Sequence, residues 1–493
     1  MGLRSEHHAI LISIVCLSEA EHIVYSYDSQ TQRVRMNLNL PDWVEDWARD
    51  APKLKVAPPG PKSKVIIDKD KKYVSHAYDR LFQFTMTKGS GAAIMDADGN
   101  VFLDFSAGIS VMNAGWGNPR VVQAIKDQAD NLVHSLANDA YFDKEAEFAE
   151  LLAKISPGGA LESTFFANSG AEAVEAAIKL SRYYTKGSEH IAFMGAYHGR
   201  IGNALAMASR VKYKYGHGPF APGFFFAPYP YCYRCWFNQE YPDCNMLCLD
   251  YLEKAILEFG GPANDPASMF VEPIQGEGGY IVPPKEYLPR MRKLCDEKKF
   301  LLVMDEIQSG LARTGEIWEC NSAGVIPDIL LTGKASGGGV PFGACMAKRA
   351  IMDVWRPGSH SSTFGGNGMS VAAGLAHVKE ILAENLAERS KVLGVHAMKR
   401  LNELKDKYEL IGDVRGKGLM IGVEIVKHKK TKEPLYVPQI QGLAWRKGLM
   451  MITAGMFGNV FRIAPPIVIS KEQLDIGIDI FEEAIKETQA KMT

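Results

Sequence analysis

Between residues 119 and 380, short apolar runs alternate with segments whose apolar residues recur at helical spacing. The apolar runs include STFFA, HIAFMG, ASMFVEPI, FLLVMDEI and DILLTG, and AEAVEAAIKLSRYY (171–184) is one of the helical segments. This alternation predicts an α/β fold with a mostly parallel sheet and helices on both of its faces. In such sheets, ligands bind at the carboxyl ends of the strands.

The regions on either side follow different patterns. GAAIMDADGNVFLDFSAGISVMNAG (91–115) predicts two short strands that turn at Asp98-Gly99. The Pro- and Gly-containing segment APPGPKSK (57–64) predicts a linker. From about residue 381, a helical pattern, short strand-like runs and a closing helix predict a separate smaller domain.

The N-terminus allows two interpretations. AILISIVCL (9–17) has the length of a signal-peptide apolar core, but the small-residue cleavage pattern after it is weak. We favour a poorly specified extension, upstream of a start at Met36, because the remaining chain has the character of a cytosolic enzyme. We therefore predict a cytoplasmic protein.

Composition excludes some classes of partner. The chain has 493 residues, 46% hydrophobic and 23% charged, and a formal net charge of −1. This near-neutral balance provides no basic surface for nucleic acid or for an acidic membrane. No apolar run reaches the ~18–20 residues that a membrane span needs. We predict neither a nucleic-acid nor a membrane partner.

Four cysteines lie close together in YCYRCWFNQEYPDCNMLC. Cys232 and Cys235 have C-x-x-C spacing, and Cys244 and Cys248 have C-x-x-x-C spacing. Such pairs can bind a structural metal or form disulfides, and they can equally remain reduced thiols. The spacing alone leaves these alternatives open, and we assign the cluster no catalytic role and the chain no catalytic metal.

Three predicted strand ends carry groups with complementary chemistry. Ser169, Gly170 and Ala171 offer a hydroxyl and N–H groups at a helix N-terminus, where a phosphate is favoured. Asp305 ends an apolar strand, where a carboxylate needs a cation or a protonated nitrogen. Lys334 precedes the small residues ASGGG, which we expect to leave room for a large ligand, and a lysine in a dry pocket forms Schiff bases with carbonyls. Together these requirements describe pyridoxal 5′-phosphate (PLP).

With these residues in place, the chain resembles the class III aminotransferases, which are PLP enzymes of fold type I. The resemblance runs from about residue 75 to the C-terminus and rests on motifs in the family's order: NSGAEAVEAAIKL, GAYHGR, EPIQGEGG, DEIQSGLARTG, GKASGGG, STFGGN and FRIAPP. It implies a large PLP-binding domain and a smaller α+β domain built from both ends of the chain. We predict an N-terminal extension and linker over 1–60, small-domain segments over 61–115 and 381–493, and the large domain over 116–380.

The resemblance also implies roles for residues around the cofactor. Lys334 is the Schiff-base lysine, and Asp305 pairs with the pyridine nitrogen. Gln308 lies near the ring hydroxyl, Tyr197 stacks on the ring, and His198 is a further cofactor-binding position. Ser169, Gly170 and Ala171 hold the phosphate. Thr363 reaches the phosphate of a partner subunit, which implies a homodimer with shared active sites and leaves a tetramer open.

Substrate-binding positions follow from the same resemblance. Arg200 matches the arginine that binds the distal carboxylate of an amino acid. Arg462 matches the arginine that binds the α-carboxylate of 2-oxoglutarate or glutamate, and Glu277 matches its switching partner. Ile109 is apolar, as in members of the 4-aminobutyrate type, and cannot hydrogen-bond the second amino group of ornithine.

We therefore predict an aminotransferase that moves an amino group from an ω-amino acid such as 4-aminobutyrate to 2-oxoglutarate. An amino-acid racemase of the same fold is the alternative, because both reactions require Lys334 and Asp305. A non-catalytic regulator on this fold is disfavoured, because the residues before the core show no basic helix-turn-helix pattern.

Overall fold

The computed structural model describes residues 25–28 and 33–492, in two units, Met1–Asn37 and Leu38–Thr493. In the first unit, strands Tyr25–Asp28 and Arg33–Met36 pair as an antiparallel hairpin. The apolar segment AILISIVCL, with its two interpretations, lies outside the described residues.

The strands are, in chain order, β1 (Tyr25–Asp28), β2 (Arg33–Met36), β3 (Lys88–Ser90), β4 (Ala93–Met95), β5 (Val101–Asp104), β6 (Ser163–Ala167), β7 (Glu189–Phe193), β8 (Phe224–Ala227), β9 (Pro266–Val271), β10 (Leu301–Asp305), β11 (Ile329–Gly333), β12 (Gly343–Ala347), β13 (Ile411–Lys417), β14 (Met420–Ile425), β15 (Leu449–Met450), β16 (Thr453–Ala454) and β17 (Val460–Ile463).

The α-helices are α1 (Asp46–Arg49), α2 (Pro61–Tyr73), α3 (Ala107–Ser110), α4 (Pro119–Asn131), α5 (Asp143–Ile155), α6 (Gly170–Thr185), α7 (Gly202–Ala206), α8 (Val211–Lys214), α9 (Leu247–Tyr251), α10 (Tyr287–Lys298), α11 (Glu319–Ser322), α12 (Arg349–Met352), α13 (Gly368–Ala383), α14 (Leu386–Lys407), α15 (Pro438–Arg446) and α16 (Lys471–Ala490). Among the helices in the described part of the chain, none has the length and apolar character needed to cross a bilayer.

The largest sheet has seven strands in the order β6-β12-β11-β10-β9-β7-β8. Strands β11, β10, β9, β7 and β8 run parallel, and β12 is antiparallel to both of its neighbours. Strands of this kind are covered on both faces, so their sequences are continuous apolar runs. The prediction of a mostly parallel α/β sheet is confirmed. The sequence pattern missed β12, because GACMA consists mainly of small residues and is not rich in β-branched or aromatic side chains.

Helix α6 packs against the largest sheet. Its buried face, which includes Val174 and Ile178, packs in one apolar cluster with Val303 of β10 and Leu331 of β11. Because α6 begins directly after β6, this packing holds its N-terminus at the edge where β10 and β11 end.

Two smaller sheets complete the second unit, and one of them combines segments from both of its ends. Strands β4 and β5 form the predicted antiparallel pair that turns at Asp98-Gly99, and β3 pairs antiparallel with β4. Strand β15 pairs parallel with β5 through Leu449 and Leu103. The other sheet has the order β13-β14-β17-β16 and carries Arg462 on β17. The division of the chain into four segments remains a prediction.

The predicted linker over 57–64 is wrong in its second half, because α2 begins at Pro61. Proline is favoured in the first turn of a helix, where its missing N–H is no loss. The remaining N–H groups of that turn, at Lys62 and Ser63, donate to the carboxylate of Asp98 over 2.8 and 2.9 Å. This cap comes from 35 residues away in sequence, so the local pattern could not reveal it.

Candidate active site

A cavity of about 250 Å³ lies at the carboxyl ends of the parallel strands, beside the N-terminus of α6. Its position agrees with the expectation for ligand sites in sheets of this kind. The lining residues are Ser169, Gly170, Ala171, Tyr197, His198, Gly199, Arg200, Glu272, Ile274, Glu277, Asp305, Ile307, Gln308, Ser309 and Lys334. The cavity therefore brings together most of the site residues predicted from the sequence.

Lys334 follows β11 directly and adopts a left-handed backbone conformation with φ of 46°. Burial and the charge of Arg462 lower the pKa of the Lys334 ammonium. The carboxylates of Asp305, Glu272 and Glu277 raise this pKa, but the net shift is downward. A lowered pKa increases the fraction of the neutral amine, which is the nucleophilic form.

The small residues after Lys334 do not line the cavity, so the prediction that they make room for the ligand is wrong. A Cβ added to Gly337 would lie 2.7 Å from the Cβ of Phe342, and one added to Gly338 would lie 2.8 Å from the carbonyl oxygen of Ala373. These glycines instead allow the turn after β11 to approach Phe342 and α13 closely. They position Lys334 through backbone packing.

Asp305 is the last residue of β10 and is buried. One carboxylate oxygen accepts the N–H of Ile307 over 3.1 Å, and the other lies 2.7 Å from Nδ1 of His198. Burial disfavours the imidazolium form of His198, but the hydrogen bond and charge of Asp305 outweigh this and raise its pKa. Because both side chains are buried, the pair keeps a carboxylate oriented at the bottom of the cavity.

Glu272 is a second buried carboxylate at this end of the cavity. It accepts N–H groups from Tyr197 over 2.9 Å and from Gly276 over 2.7 Å. Burial raises the pKa of Glu272, His198 lowers it and Asp305 raises it, and the net result is a pKa of about 7. Gln308 lies nearby, where its side-chain amide donates to the hydroxyl of Tyr280 over 3.1 Å.

The N-terminus of α6 forms the narrow end of the cavity. Ser169 caps the helix by accepting the N–H of Glu172 over 3.2 Å, while the N–H groups of Gly170 and Ala171 have no acceptor within the helix. Gly199, with φ of 144°, approaches so closely that an added Cβ would lie 2.6 Å from the Cβ of Ala171. This end therefore offers backbone donors and a helix dipole to an anion.

Glu277 carries three partners on its two carboxylate oxygens. Arg462 approaches Oε2 over 3.1 Å, while Arg210 and the hydroxyl of Tyr213 approach Oε1 over 3.2 and 2.5 Å. Burial tends to raise the pKa of Glu277, but Arg462, Tyr213 and Arg210 outweigh it, so the net shift is downward. Arg462 also donates to the carbonyl of Thr453 over 2.8 Å, and its Nε and Nη1 are buried with no partner among the described residues.

Arg200 lines the same cavity and is exposed. Its guanidinium lies over the ring of Tyr213 at 4.6 Å and over that of Tyr197 at 5.6 Å. Within the described residues it forms no ion pair with a carboxylate, so its charge is free to bind an anionic ligand.

Three predicted positions, Ile109, Thr363 and Arg462, are not among the residues that line this cavity, although Arg462 pairs with Glu277, which is. Ile109 is 45% exposed, with φ of 67°, and Thr363 is exposed. Sequence reasoning also missed three residues, of which Glu272 was visible in EPIQGEGG, while Arg210 and Tyr213 had no recognisable pattern around them.

The cysteine cluster lies outside this cavity. Cys232, Cys235, Cys244 and Cys248 are free thiols that line a separate apolar cavity of about 20 Å³. Burial raises the pKa of Cys232 to about 11 and that of Cys248 to about 12, so these two thiols are protonated at neutral pH. Over residues 25–28 and 33–492, no group of three or more His, Cys, Asp or Glu side chains is arranged to hold a metal ion.

Comparison with known proteins identifies the family. Residues 73–485 match the model of the class III aminotransferases. The chain belongs to this family. It is 39% identical over 445 residues to an alanine/serine racemase from Pyrococcus horikoshii, covering 89% of this chain and 93% of the relative. It is 36% identical over 402 residues to a probable 4-aminobutyrate aminotransferase from Bacillus subtilis, covering 81% and 92%.

Solved structures agree with this assignment. An amine transaminase from an uncultivated Pseudomonas species in its PLP-bound form superposes with a TM-score of 0.77 at 29% identity, covering 82% of this chain and 95% of the other. The class III aminotransferase is accordingly a fold type I enzyme with PLP as its cofactor. The geometry fits this cofactor, because one cavity holds an anion site at α6, a buried carboxylate and an amine whose pKa is lowered.

The lysine assignment predicts where PLP is attached. Reduction of the holoenzyme with borohydride should leave a phosphorylated pyridoxyl group on the peptide that contains Lys334, because reduction converts the hydrolysable C=N bond of a Schiff base into a stable C–N single bond. Lys334→Ala should show no such modification, whereas Lys285→Ala, at a side chain 87% exposed, should behave as the wild type. Mass spectrometry of the digested proteins measures this, and a pyridoxyl group on any other lysine of the wild type contradicts the assignment.

The buried carboxylate gives a second prediction. Asp305→Asn should lower turnover by about 10²–10³-fold with PLP still bound, as expected when one preorganised electrostatic group is removed. The matched control is Asp328→Asn, a buried carboxylate outside the cavity that pairs with Arg292 and Lys348, each over 2.7 Å. The control should lower the melting temperature without changing turnover per folded enzyme. A loss below tenfold in Asp305→Asn would contradict the role of Asp305.

Proposed function

We propose that this aminotransferase moves an amino group from an ω-amino acid of the 4-aminobutyrate type to 2-oxoglutarate. The observation that carries this proposal is the ion pair between Arg462 and Glu277 beside the cavity of Lys334. An enzyme that alternates between a donor without an α-carboxylate and an acceptor with one needs a cation that can be neutralised in one half-reaction and exposed in the other.

The unused donors of Arg462 support this alternation. Its Nε and Nη1 are buried without partners in the described part of the chain, although buried N–H groups are normally paired. When Glu277 releases Nη2, a substrate α-carboxylate would bind Nη2 together with one of these unpaired donors, in the bidentate geometry that guanidinium groups favour. When 4-aminobutyrate occupies the site, Glu277 continues to neutralise the charge of Arg462.

Arg200 is the proposed binding partner of the distal carboxylate of the same substrates. The only carboxylate of 4-aminobutyrate lies at the far end from its amino group, and 2-oxoglutarate also carries a distal carboxylate. Arg200 lines the cavity and lacks an ion-pair partner among the described residues, so it is the proposed anchor for this group.

PLP, when bound, supplies an electron sink for the carbanion formed at the substrate carbon. We assign its phosphate to Ser169, Gly170 and Ala171, because these residues offer a hydroxyl and backbone N–H groups at a helix N-terminus. We assign the charge at its ring nitrogen to Asp305, which His198 holds in orientation over 2.7 Å.

Tyr197, Gln308 and Lys334 complete the proposed site. Tyr197 and Gln308 line the cavity and are the proposed contacts of the ring and of its hydroxyl. Lys334 lines the cavity and has a lowered pKa, so its Nζ is the proposed group that accepts the proton leaving the substrate carbon.

We also propose a homodimer in which Thr363 completes the phosphate site of the partner. Thr363 is exposed and does not line the cavity of its own chain. Next to it, Phe364 is 60% exposed, and Tyr141 and Ile109 are also exposed. The exposed ring of Phe364 beside Thr363 is a candidate contact with a second subunit. A cytoplasmic location remains a prediction from the sequence.

Racemisation is the alternative function, and the observation that favours it is the 39% identity to an alanine/serine racemase. Both reactions use Lys334 and Asp305, so these residues do not separate them. They differ in one requirement, because aminotransfer needs a keto acid and racemisation does not.

The carboxylate of Glu277 provides the test. Glu277→Ala should raise the reactivity of glutamate relative to 4-aminobutyrate as amino donor about tenfold, because a charge-assisted hydrogen bond to Arg462 is removed. Single-turnover measurement of each half-reaction separates this effect from mixed steady-state constants. Glu286→Ala, at a carboxylate outside the cavity, is the control.

An unchanged ratio in Glu277→Ala would contradict the alternating role of Arg462. Interconversion of alanine enantiomers by the wild type without any keto acid, together with no reaction of 4-aminobutyrate, would replace the proposed function with racemisation.

A further inference from the structure

Tyr213 lies between the two arginines that we assign to substrate carboxylates. Its hydroxyl is 2.5 Å from Oε1 of Glu277, the partner of Arg462. Its ring carries the guanidinium of Arg200 on one side, at 4.6 Å from the ring centroid. The ring is buried and also contacts Tyr197 edge-on at 5.3 Å. Tyr213 therefore contacts both Arg200 and Glu277, the ion-pair partner of Arg462.

Arg210 adds a second contact to the same carboxylate oxygen. Its Nη1 lies 3.2 Å from Oε1 of Glu277 and 3.3 Å from the hydroxyl of Tyr213. Arg210 immediately precedes α8 and Tyr213 lies within it, so a single turn of the chain supplies both groups. Arg462 approaches the opposite oxygen, Oε2. Glu277 is therefore held on two sides by groups from different parts of the fold.

We propose that Tyr213 and Arg210 are positioning residues that hold Glu277 when Arg462 leaves it, and that the Tyr213 ring at the same time positions Arg200. This inference rests on the proposed function and extends it. It names the residues that set how readily the enzyme exchanges a donor without an α-carboxylate for an acceptor that has one.

The cost of an unpaired buried charge explains why such residues are needed. When Arg462 turns to a substrate carboxylate, Glu277 loses one cationic partner while it remains largely buried. An unpaired buried carboxylate is strongly destabilising. Arg210 and Tyr213 keep Oε1 paired and so lower the cost of releasing Arg462. Without them, Glu277 would bind Arg462 more tightly and compete better against the acceptor.

The protonation state of Tyr213 agrees with this role. Burial raises its pKa to about 12, and the charge of Glu277 and the hydrogen bond to it act in the same direction. The phenol therefore keeps its proton at neutral pH and donates to Glu277 in both half-reactions.

Two substitutions at Tyr213 separate its hydroxyl from its ring. Tyr213→Phe removes only the hydroxyl and should raise the dissociation constant of 2-oxoglutarate about tenfold in the single-turnover acceptor half-reaction. It should affect the 4-aminobutyrate half-reaction less than the acceptor half-reaction. Tyr213→Leu also removes the ring, so it should in addition raise the dissociation constant of 4-aminobutyrate, whose carboxylate we assign to Arg200.

A double-mutant cycle tests whether the effect passes through Glu277. In a Glu277→Gln background, Tyr213→Phe and Arg210→Met should each lose most of their effect on 2-oxoglutarate, because the charged competitor for Arg462 is already gone. Lys212→Met is the matched control, since Lys212 lies between the two residues but points to an exposed ion pair with Asp79. It should leave both half-reactions as in the wild type.

Each outcome decides the proposal. Equal losses in both half-reactions for Tyr213→Phe would overturn it, and so would a Tyr213→Leu variant with no added loss in the 4-aminobutyrate half-reaction. Additive effects in the Glu277→Gln background would also overturn it. If the wild type proves to be a racemase, the proposed function fails separately. The same cycle is then measured on the dissociation constant of alanine, where non-additivity supports the positioning role and additivity overturns it.

Discussion

The need to pair every buried charge organises this molecule around one edge of its sheet. Parallel strands end together, so β10 and β11 deliver Asp305 and Lys334 to neighbouring positions. Asp305 tolerates burial because His198 and a backbone N–H pair with its two oxygens. Lys334 is close enough to Asp305, Glu272, Glu277 and Arg462 for all four to influence its pKa. The cofactor site follows from this arrangement.

The same constraint governs the substrate end. Arg462 and Glu277 satisfy each other only in part, because two donors of Arg462 remain without partners among the described residues. Glu277 is better supplied, with Arg210 and Tyr213 on its other oxygen. The asymmetry agrees with the proposal that Arg462 binds and releases substrate while Glu277 stays in place. The proposed exchange of donor and acceptor therefore depends on groups around Glu277 as much as on Arg462.

The sequence predicted features that depend on local pattern. Buried parallel strands such as β10 appear as continuous apolar runs, and the Asn-Ser-Gly turn before α6 appears as a helix start. Asp305 and Lys334 could be recognised as candidate site residues because they lie at or directly after the ends of such runs. β12 did not, since its small residues lack strand propensity and its place between β6 and β11 depends on tertiary packing.

Features that depend on distant contacts were not predictable in the same way. The cap of α2 comes from Asp98, and the hydrogen bond from Tyr213 to Glu277 spans 64 residues. The glycines after Lys334 were recognised, but their role was misjudged, because close packing against Phe342 and Ala373 is visible only in three dimensions. Comparison with known proteins established the family and cofactor, while the donor and acceptor remain a proposal that rests on Arg200, Glu277 and Arg462.

Isotope transfer tests the central claim most directly. The purified holoenzyme would be incubated with ¹⁵N-labelled 4-aminobutyrate and unlabelled 2-oxoglutarate, and the products analysed by mass spectrometry. The account predicts that ¹⁵N-labelled glutamate and the aldehyde from 4-aminobutyrate form in equal amounts. Without 2-oxoglutarate, it predicts at most one equivalent of aldehyde per active site and no labelled glutamate. Absence of label in glutamate, under conditions where the same protein interconverts amino-acid enantiomers without a keto acid, would contradict it.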